Sequence, residues 1–192
     1  TTGRPKGVLM THRVWAAMTW IQMTEWEFPD PLRIAIVSPL SHAALSLVAP
    51  VLLSGGAFYV MESFTPDGFF DLVEEHRITT TMIVPVMLYA MQAHPRYETV
   101  DMSSMQTIFY GASPMSPARL KQLRERFGNI FVQLYGSSEH GAAVTCLSKS
   151  DHLPDRNGDE SHFASAGRIV PGVEVLIVDR DGRPLPYGQD GE

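Results

Sequence analysis

A loop at residues 1–7 (TTGRPKG) carries residue types that could bind a phosphate group. Its glycines let backbone amides approach an anion, its threonine hydroxyls add hydrogen-bond donors, and its lysine adds a positive charge. It is not a Walker loop, because the GxxxxGK[ST] pattern is absent. A polar surface loop would have the same composition, so the residues alone leave both interpretations open.

A second group of candidate residues lies at 133–139 (QLYGSSE), directly after a predicted strand. It contains an aromatic ring that suits a nucleotide base, hydroxyls that suit a phosphate, and a carboxylate that suits a metal ion. Glu139 is the candidate metal ligand, because Mg²⁺ prefers carboxylate and phosphate oxygens. The alternative is an ordinary strand-to-loop turn that ends in a surface glutamate.

Two further elements follow predicted strands at residues 38–42 (SPLSH) and 110–114 (YGASP). Taken singly, His42 could be a structural histidine, and the second element could be a tight turn before a helix. In open α/β sheets, however, ligands bind at the carboxyl ends of the strands. Several such elements in one chain therefore indicate a common ligand site.

An alternation of short apolar strands and amphipathic helices would position these residues. Strands are predicted at 34–37, 57–61, 79–84, 107–110 and 130–134, and helices at 12–25, 43–53, 66–76, 86–92 and 117–127. This alternation predicts an α/β fold, a layered and mostly parallel sheet with helices on both faces.

The alternation stops after about residue 142. A polar stretch at 148–162 precedes a predicted strand at 173–178 and a turn, which indicates the start of a small β module. We therefore divide the chain into an α/β subdomain at 1–146, which holds the candidate nucleotide-binding residues, and, at 147–192, an irregular segment with the start of a β-rich subdomain.

Composition excludes several classes of protein. The 192 residues are 44% apolar and 19% charged, which excludes a disordered tail and a coiled coil. The net charge of −6 argues against a nucleic-acid partner, and the single cysteine, Cys146, excludes an internal disulfide framework and a cysteine-based zinc site.

The sequence also bears on location and completeness. No apolar run approaches the roughly 20 residues of a transmembrane segment, and no signal peptide pattern opens the chain, so we expect a cytoplasmic protein. The chain does not begin with Met and both its ends lie in loops, which leads us to expect a piece of a larger protein.

In order along the chain, several stretches resemble motifs of the adenylate-forming superfamily, which contains acyl-CoA synthetases, luciferases and peptide-synthetase adenylation domains. Residues 1–13 resemble its phosphate loop, and residues 135–139 (YGSSE) resemble its Tyr-Gly-x-Thr-Glu signature. Shorter matches occur at 39–42, 111–116, 167–174 and 191–192. The resemblance covers essentially the whole chain, and the order of the motifs makes it specific.

The resemblance implies an acid–thiol ligase that uses ATP, Mg²⁺ and CoA. A carboxylate would attack the α-phosphate of ATP to give an acyl-adenylate and pyrophosphate, and CoA would then accept the acyl group. By the resemblance, the β- and γ-phosphates would be bound by Thr1, Thr2, Gly3 and Lys6, and the adenine and acyl channel would be lined by Gly111, Ala112 and Ser113. Tyr135, with Gly136 beside it, would stack on adenine, and Ser138 would bind the α-phosphate. Glu139 would bind Mg²⁺, and His42 would lie at the acyl carboxylate.

The sequence departs from the family pattern at two described motifs. Ser138 stands in place of the signature threonine, and Tyr110 stands where the first glycine of a Gly-Gly-Ala-Pro element is expected. The ribose-binding aspartate, the hinge and the C-terminal catalytic lysine of the family have no counterpart in these 192 residues. We therefore expect the chain to depend on a C-terminal domain of the same polypeptide and to be inactive by itself.

Three functions remain open at this stage. The first is a core fragment of an ATP-dependent acyl-CoA ligase for a fatty acid, since apolar residues at 43–47 and 84–85 could line an acyl channel, although they could equally pack in the core. The second is a ligase for an aromatic or other carboxylate. The third is a nucleotide-binding module without catalysis of its own.

Overall fold

The helices begin where short polar side chains and prolines favour a helix start. The computed structural model describes residues 7–41, 43–141 and 143–192. Helix α1 (His12–Glu25) begins after Thr11, whose hydroxyl accepts a hydrogen bond from the Val14 amide at 3.2 Å. Helix α3 (Pro66–His76) begins in the same way after Thr65. Both predicted helix starts are confirmed.

The remaining helices also follow the predicted pattern. Helix α4 spans Pro85–Gln92 and α5 spans Pro117–Phe127, each with a proline in its first turn, where no amide partner is lost. The predicted helix at 43–53 is a 3₁₀ turn at Ala43–Leu47 that continues into α2 (Val48–Leu53). Shorter 3₁₀ turns lie at Pro95–Glu98, Ser150–His152 and Ser161–Ala164.

One seven-stranded sheet organises the described part of the chain, in the order β2-β1-β3-β4-β5-β6-β7. The strands span Arg33–Ile36 (β1), Ala57–Val60 (β2), Thr80–Ile83 (β3), Thr107–Gly111 (β4), Phe131–Gly136 (β5), Ala143–Leu147 (β6) and Arg168–Ile169 (β7). The first five pair in parallel, and β6 and β7 are antiparallel. The predicted α/β fold with a mostly parallel sheet is confirmed.

Each face of the sheet carries its own core, as expected for a sheet covered by helices on both sides. In β4, Ile108 and Tyr110 face the core built with α3, α4 and α5. Phe109, between them, faces the second core, where Trp26 at the end of α1 and Val51 of α2 pack. Because neighbouring side chains of a strand point to opposite faces, this burial on both sides explains the nearly continuous apolar strands.

The region after β5 differs from the sequence prediction in two ways. Residues 173–178 do not form the predicted strand: only Val178 makes a bridge, to Pro184, and Val175, Leu176 and Ile177 are exposed. The sequence analysis also missed β6 and β7, because β6 follows the β5 turn closely and pairs antiparallel, outside the strand–helix alternation. In the described ranges, no helix is long and apolar enough to cross a membrane.

Candidate functional site

A cavity of about 470 Å³ lies at the carboxyl edge of the parallel strands. We call it the site cavity. Its walls come from the ends of β3, β4 and β5, the segments after β1 and β5, and the α1 helix. The lining residues that recur below are Met18, Leu45, Met87, Gly111, Ala112 and Ser138. Several elements that the sequence analysis placed at strand ends therefore meet at one position.

The end of β4 shows why Gly111 and Ala112 stand where they do. A Cβ atom built on Gly111 would overlap the carbonyl oxygen of Leu134 in β5, so only glycine allows this close approach of the two strands. Ala112 follows with φ of 64°, a left-handed conformation that is rare for a residue with a side chain. Strained backbone of this kind concentrates at functional sites.

The loop between β5 and β6 supplies polar groups to the site cavity. Gly136, Ser137 and Ser138 all line it. The loop closes at Gly141, whose amide donates to the carbonyl oxygens of Ser137 at 3.2 Å and Ser138 at 3.1 Å. Gly141 has φ of 85°, and a Cβ there would lie 2.7 Å from Met18 Sδ, so the loop packs tightly against α1.

Three predicted site residues lie on the surface, outside the lining of the site cavity. Tyr135, at the end of β5, keeps 59% of its surface exposed. Glu139 follows Ser138 in the exposed loop, and Ser113 is exposed beyond Ala112. The structure thus brings Gly111, Ala112, Gly136 and Ser138 together and leaves Tyr135, Glu139 and Ser113 beside them at the surface.

The other predicted site residues lie outside the described residues. These are Thr1, Thr2, Gly3 and Lys6 of the proposed phosphate loop, and His42. The described residues next to them contribute to the site cavity: Val8 and Met10 follow the loop, and Ser41 and Ala43 flank position 42. The roles of the five residues stay predictions.

The apolar residues considered for an acyl channel divide between two places. Ala43, Leu45 and Val84 line the site cavity. Ala44 and Leu47 are buried in the core that also contains Trp26 and Val51. The 3₁₀ turn at Ala43–Leu47 therefore presents one side to the site cavity and the other to the sheet.

The sequence analysis missed part of the apolar lining. It did not assign Met18 of α1, Met82 of β3 or Met87 of α4 to a ligand site, and it did not consider Trp15 and Trp26. Met18 was predicted only as part of the inner face of α1. Only the folded chain shows that these side chains line one cavity.

The structure also reveals a buried hydrogen-bond chain that the sequence did not predict. The Tyr110 hydroxyl lies 2.8 Å from His152 Nε2, and His152 Nδ1 lies 2.7 Å from the carbonyl oxygen of Ser148. Both rings are almost completely buried. Burial lowers the pKa of His152 to about 4 and raises the pKa of Tyr110 above its usual value, so both groups are neutral at pH 7.

The described residues do not include a group of three His, Cys, Asp or Glu side chains placed to hold a metal ion. Mg²⁺ in nucleotide sites is commonly held by one or two carboxylates together with substrate phosphates, and it needs no all-protein cage. A single carboxylate in the loop that borders the site cavity is compatible with that arrangement. Glu139 is the residue that would supply it.

Comparison with known proteins assigns the chain to a family. The sequence profile that describes AMP-binding enzymes matches residues 1–192. The chain belongs to the AMP-binding enzyme family. The adenylate-forming resemblance of its motifs is therefore confirmed.

Curated relatives include ligases for different acids. A medium/long-chain-fatty-acid–CoA ligase of Mycobacterium tuberculosis is 43% identical over 192 residues, which is 100% of this chain and 33% of the relative. A feruloyl-CoA synthase of an Amycolatopsis species is 35% identical over 197 residues, covering 100% of this chain and 38% of the relative. The chain thus spans between 33% and 38% of the length of these relatives.

A solved structure shares the fold of this chain. An amide bond synthetase from Marinactinospora thermotolerans superposes with a TM-score of 0.88 at 33% identity, over 100% of this chain and 37% of that protein. The arrangement of sheet and helices in this chain is therefore similar to that of the amide bond synthetase.

Proposed function

We propose that this chain is the nucleotide- and acyl-binding part of an ATP-dependent acyl-CoA ligase whose acid substrate is a fatty acid. The observation that carries the proposal is the site cavity. Its wall is largely aliphatic and thioether in character, and one side of it is bordered by the Gly136–Ser138 loop with its hydroxyls. Such a cavity suits an apolar chain that ends in a group reacting with a phosphate.

In this proposal each group at the strand ends binds part of a substrate. Ser138 donates to the α-phosphate, and the exposed face of Tyr135 stacks on adenine. Gly111 and Ala112 form the floor between the nucleotide and the acyl chain, because the absence of a side chain at Gly111 lets the strands close there. Leu45 and Met87 contact the acyl chain.

The chemistry proceeds in two balanced steps. A carboxylate oxygen of the acid attacks the α-phosphorus of ATP, the bond to the β-phosphate oxygen breaks, and pyrophosphate leaves. The CoA thiol then attacks the acyl carbon, the bond from that carbon to the AMP oxygen breaks, and AMP leaves while the thiol proton passes to solvent. Mg²⁺, held by Glu139 and phosphate oxygens, would neutralise phosphate charge during the first step. The chain's own residues orient the reacting groups, which is the main source of rate in phosphoryl transfer.

A second acid class has support of its own. The feruloyl-CoA synthase is 35% identical to this chain, and Trp15 and Trp26 contribute rings to the site cavity. An aromatic acid would pack against these rings. Fatty acids are favoured because methionine and aliphatic side chains make up most of the remaining wall.

The test is a screen of the full-length gene product for acid-dependent pyrophosphate release from ATP. The panel contains straight-chain fatty acids of increasing length, hydroxylated cinnamic acids and arylacetic acids, each with and without CoA. We expect release with fatty acids and acyl-CoA formation when CoA is present. Activity with aromatic acids only would make an aromatic acid, in place of a fatty acid, the substrate of the ligase. No acid-dependent pyrophosphate release with any acid would refute the proposal.

A variant pair tests the acyl assignment. Leu45→Trp narrows the site cavity and should reduce kcat/KM for long fatty acids more than for short ones. The matched control is Leu52→Trp, because Leu52 is exposed on α2 and is not part of the cavity lining. Equal behaviour of the two variants would remove Leu45 from the acyl site.

A further inference from the structure

The buried hydrogen-bond chain from Tyr110 through His152 to Ser148 links the end of β4, which lines the site cavity, to the turn after β6. Tyr110 is the penultimate residue of β4, directly before Gly111 and the strained Ala112. Its backbone is paired with Gln133 of β5, which in turn pairs with Leu147 of β6. His152 lies in the 3₁₀ turn after β6, and its Nε2 atom contacts the Tyr110 hydroxyl.

The hydrogen-bond partners determine the direction of the chain. The carbonyl oxygen of Ser148 can only accept, so His152 Nδ1 must carry the hydrogen and donate to it. In a neutral imidazole the other nitrogen is then an acceptor, so the Tyr110 hydroxyl donates to His152 Nε2. The imidazole of His152 is neutral at pH 7 because burial lowers its pKa.

The histidine ring is held in place by its neighbours as well. It stacks on Phe163 with an interplanar angle of 25° and a centroid distance of 6.3 Å. The guanidinium of Arg124, from α5, lies 4.7 Å from the centre of the Phe163 ring. The Tyr110 ring itself meets Phe131 edge-on. The hydroxyl of Tyr110 is therefore bound to a rigid partner.

We propose that Tyr110 and His152 are positioning residues, which hold the Gly111–Ala112 turn in its strained conformation at the floor of the site cavity. The inference rests on the proposed adenylation function, because it assigns the turn a role in placing substrates. Ala112 has φ of 64°, and a backbone in that region persists only where surrounding contacts oppose its relaxation. The fixed hydroxyl two residues earlier supplies such a contact.

The first test is Tyr110→Phe in the full-length gene product. Phenylalanine keeps the packing and removes only the hydroxyl, so the melting temperature should fall by a few degrees at most. We expect kcat for acid-dependent pyrophosphate release to fall about tenfold, because small errors in the placement of reacting groups have large effects on rate.

A matched control is Tyr97→Phe. Tyr97 is also buried on this face of the sheet, and its hydroxyl donates to the Gln122 carbonyl oxygen at 3.4 Å, away from the site cavity. Turnover of this variant should equal that of the unmodified protein. An equal loss of turnover in the two variants would overturn the positioning role.

A second readout is independent of turnover. Hydrogen–deuterium exchange should become faster in peptides that contain residues 111–113 of Tyr110→Phe, and it should stay unchanged in β1 and β3. Faster exchange throughout the protein would overturn the proposal, and so would an unchanged exchange rate at residues 111–113. The failure of the adenylation proposal is distinguishable, since the unmodified protein would then show no acid-dependent release while the exchange result still stands.

His152 provides a further pair of variants in case Tyr110→Phe does not fold. Glutamine at 152 can still accept from Tyr110, whereas leucine cannot. We expect His152→Gln to retain more of the turnover and more of the protection at 111–113 than His152→Leu. Equal behaviour of the two variants in both readouts would overturn the proposal.

Discussion

Tyr135 is exposed to 59%, and this separates two possible roles of its ring. A core residue at this position would be buried, so the exposure supports stacking on a nucleotide base. We predict that Tyr135→Phe leaves ATP affinity nearly unchanged. Tyr135→Ala should weaken ATP binding about tenfold or more, since aromatic–base stacking contributes roughly 1–3 kcal/mol.

Calorimetric titration of the full-length gene product with ATP, paired with thermal melts, measures both effects. The melting temperature of Tyr135→Ala should change little, because loss of an exposed ring leaves no cavity in the core. A strongly lowered melting temperature with normal ATP affinity would show that the ring serves packing.

Glu139 is the residue on which the proposed Mg²⁺ site depends. Glu139→Gln keeps the shape of the side chain but removes the charge that would hold the cation against the phosphates. We predict that acid-dependent pyrophosphate release at ordinary Mg²⁺ falls by about a hundredfold or more, with an unchanged melting temperature. Part of the rate should return at high Mg²⁺, because mass action restores a weakened metal contact.

The matched control for Glu139 is Glu125→Gln, on the exposed side of α5. It removes the same charge from an exposed position outside the lining of the site cavity. The dependence of its rate on Mg²⁺ should match that of the unmodified protein. Near-normal release by Glu139→Gln would place the metal ligand elsewhere.

At the scale of secondary-structure elements, the contact between β4 and β5 depends on Gly111. Gly111→Ala would drive its Cβ into the carbonyl oxygen of Leu134, and the strand cannot move away without breaking the ladder. We predict a loss of about 1–3 kcal/mol in the free energy of unfolding, the usual range for overpacking. Urea denaturation measures it.

Gly7→Ala is the control for this substitution, because a Cβ built there meets no atom within 4 Å. Its midpoint of denaturation should match that of the unmodified protein. If Gly111→Ala were equally stable, β4 and β5 would have to lie farther apart than the structure shows.

The contact between β4 and the Ser150–His152 turn should make stability depend on pH. The pKa of His152 is lowered to about 4 in the folded protein from its usual 6.5, so the unfolded chain takes up the proton first as the pH falls. Stability is therefore complete above pH 6.5 and is lost between pH 6.5 and 4. From pH 7 to pH 5 the loss should be about 2 kcal/mol.

Urea denaturation of the protein and of His152→Gln at both pH values isolates this contribution. The glutamine variant should lose about 2 kcal/mol less over the same interval, because it has no buried imidazole to protonate. An equal loss in the two proteins would mean that His152 is not the group that titrates.

At the scale of the whole molecule, the chain covers 33% of the curated fatty-acid–CoA ligase that it resembles. By the family resemblance, the ribose-binding aspartate and the catalytic lysine have no counterpart in these 192 residues. We predict that the 192-residue polypeptide alone forms no acyl-CoA from ATP, CoA and a fatty acid. Turnover by the purified chain that depends on both ATP and CoA would contradict this.

The division of the chain at residue 146 stays a prediction at this scale as well. The sheet continues past that point through the pairing of β7 with β6. Limited proteolysis of the full-length gene product, followed by mass spectrometry, would show whether cleavage concentrates after residue 146.

The accuracy of the sequence prediction differed between regions for physical reasons. From α1 to β5 the elements were predicted closely, because strands buried on both faces are continuously apolar and helices begin at Thr11, Thr65 and proline. The strand predicted at 173–178 is wrong, because its backbone pairs with the segment 183–192 only near its end, at Ile177 and Val178, which is too short for a strand ladder. The strand β6 was missed because its antiparallel pairing lies outside the strand–helix alternation.

The fold class followed from the alternation of apolar strands and amphipathic helices, and the family from the resemblance of the motifs that end the strands. Packing of the elements brings together the side chains that line the site cavity: Met18 lies far along the chain from Met82 and Met87, yet all three line it. Tertiary structure alone also paired Tyr110 with His152, 42 residues later. Hydrogen bonds between distant residues have no local pattern, because the intervening chain decides whether the partners meet.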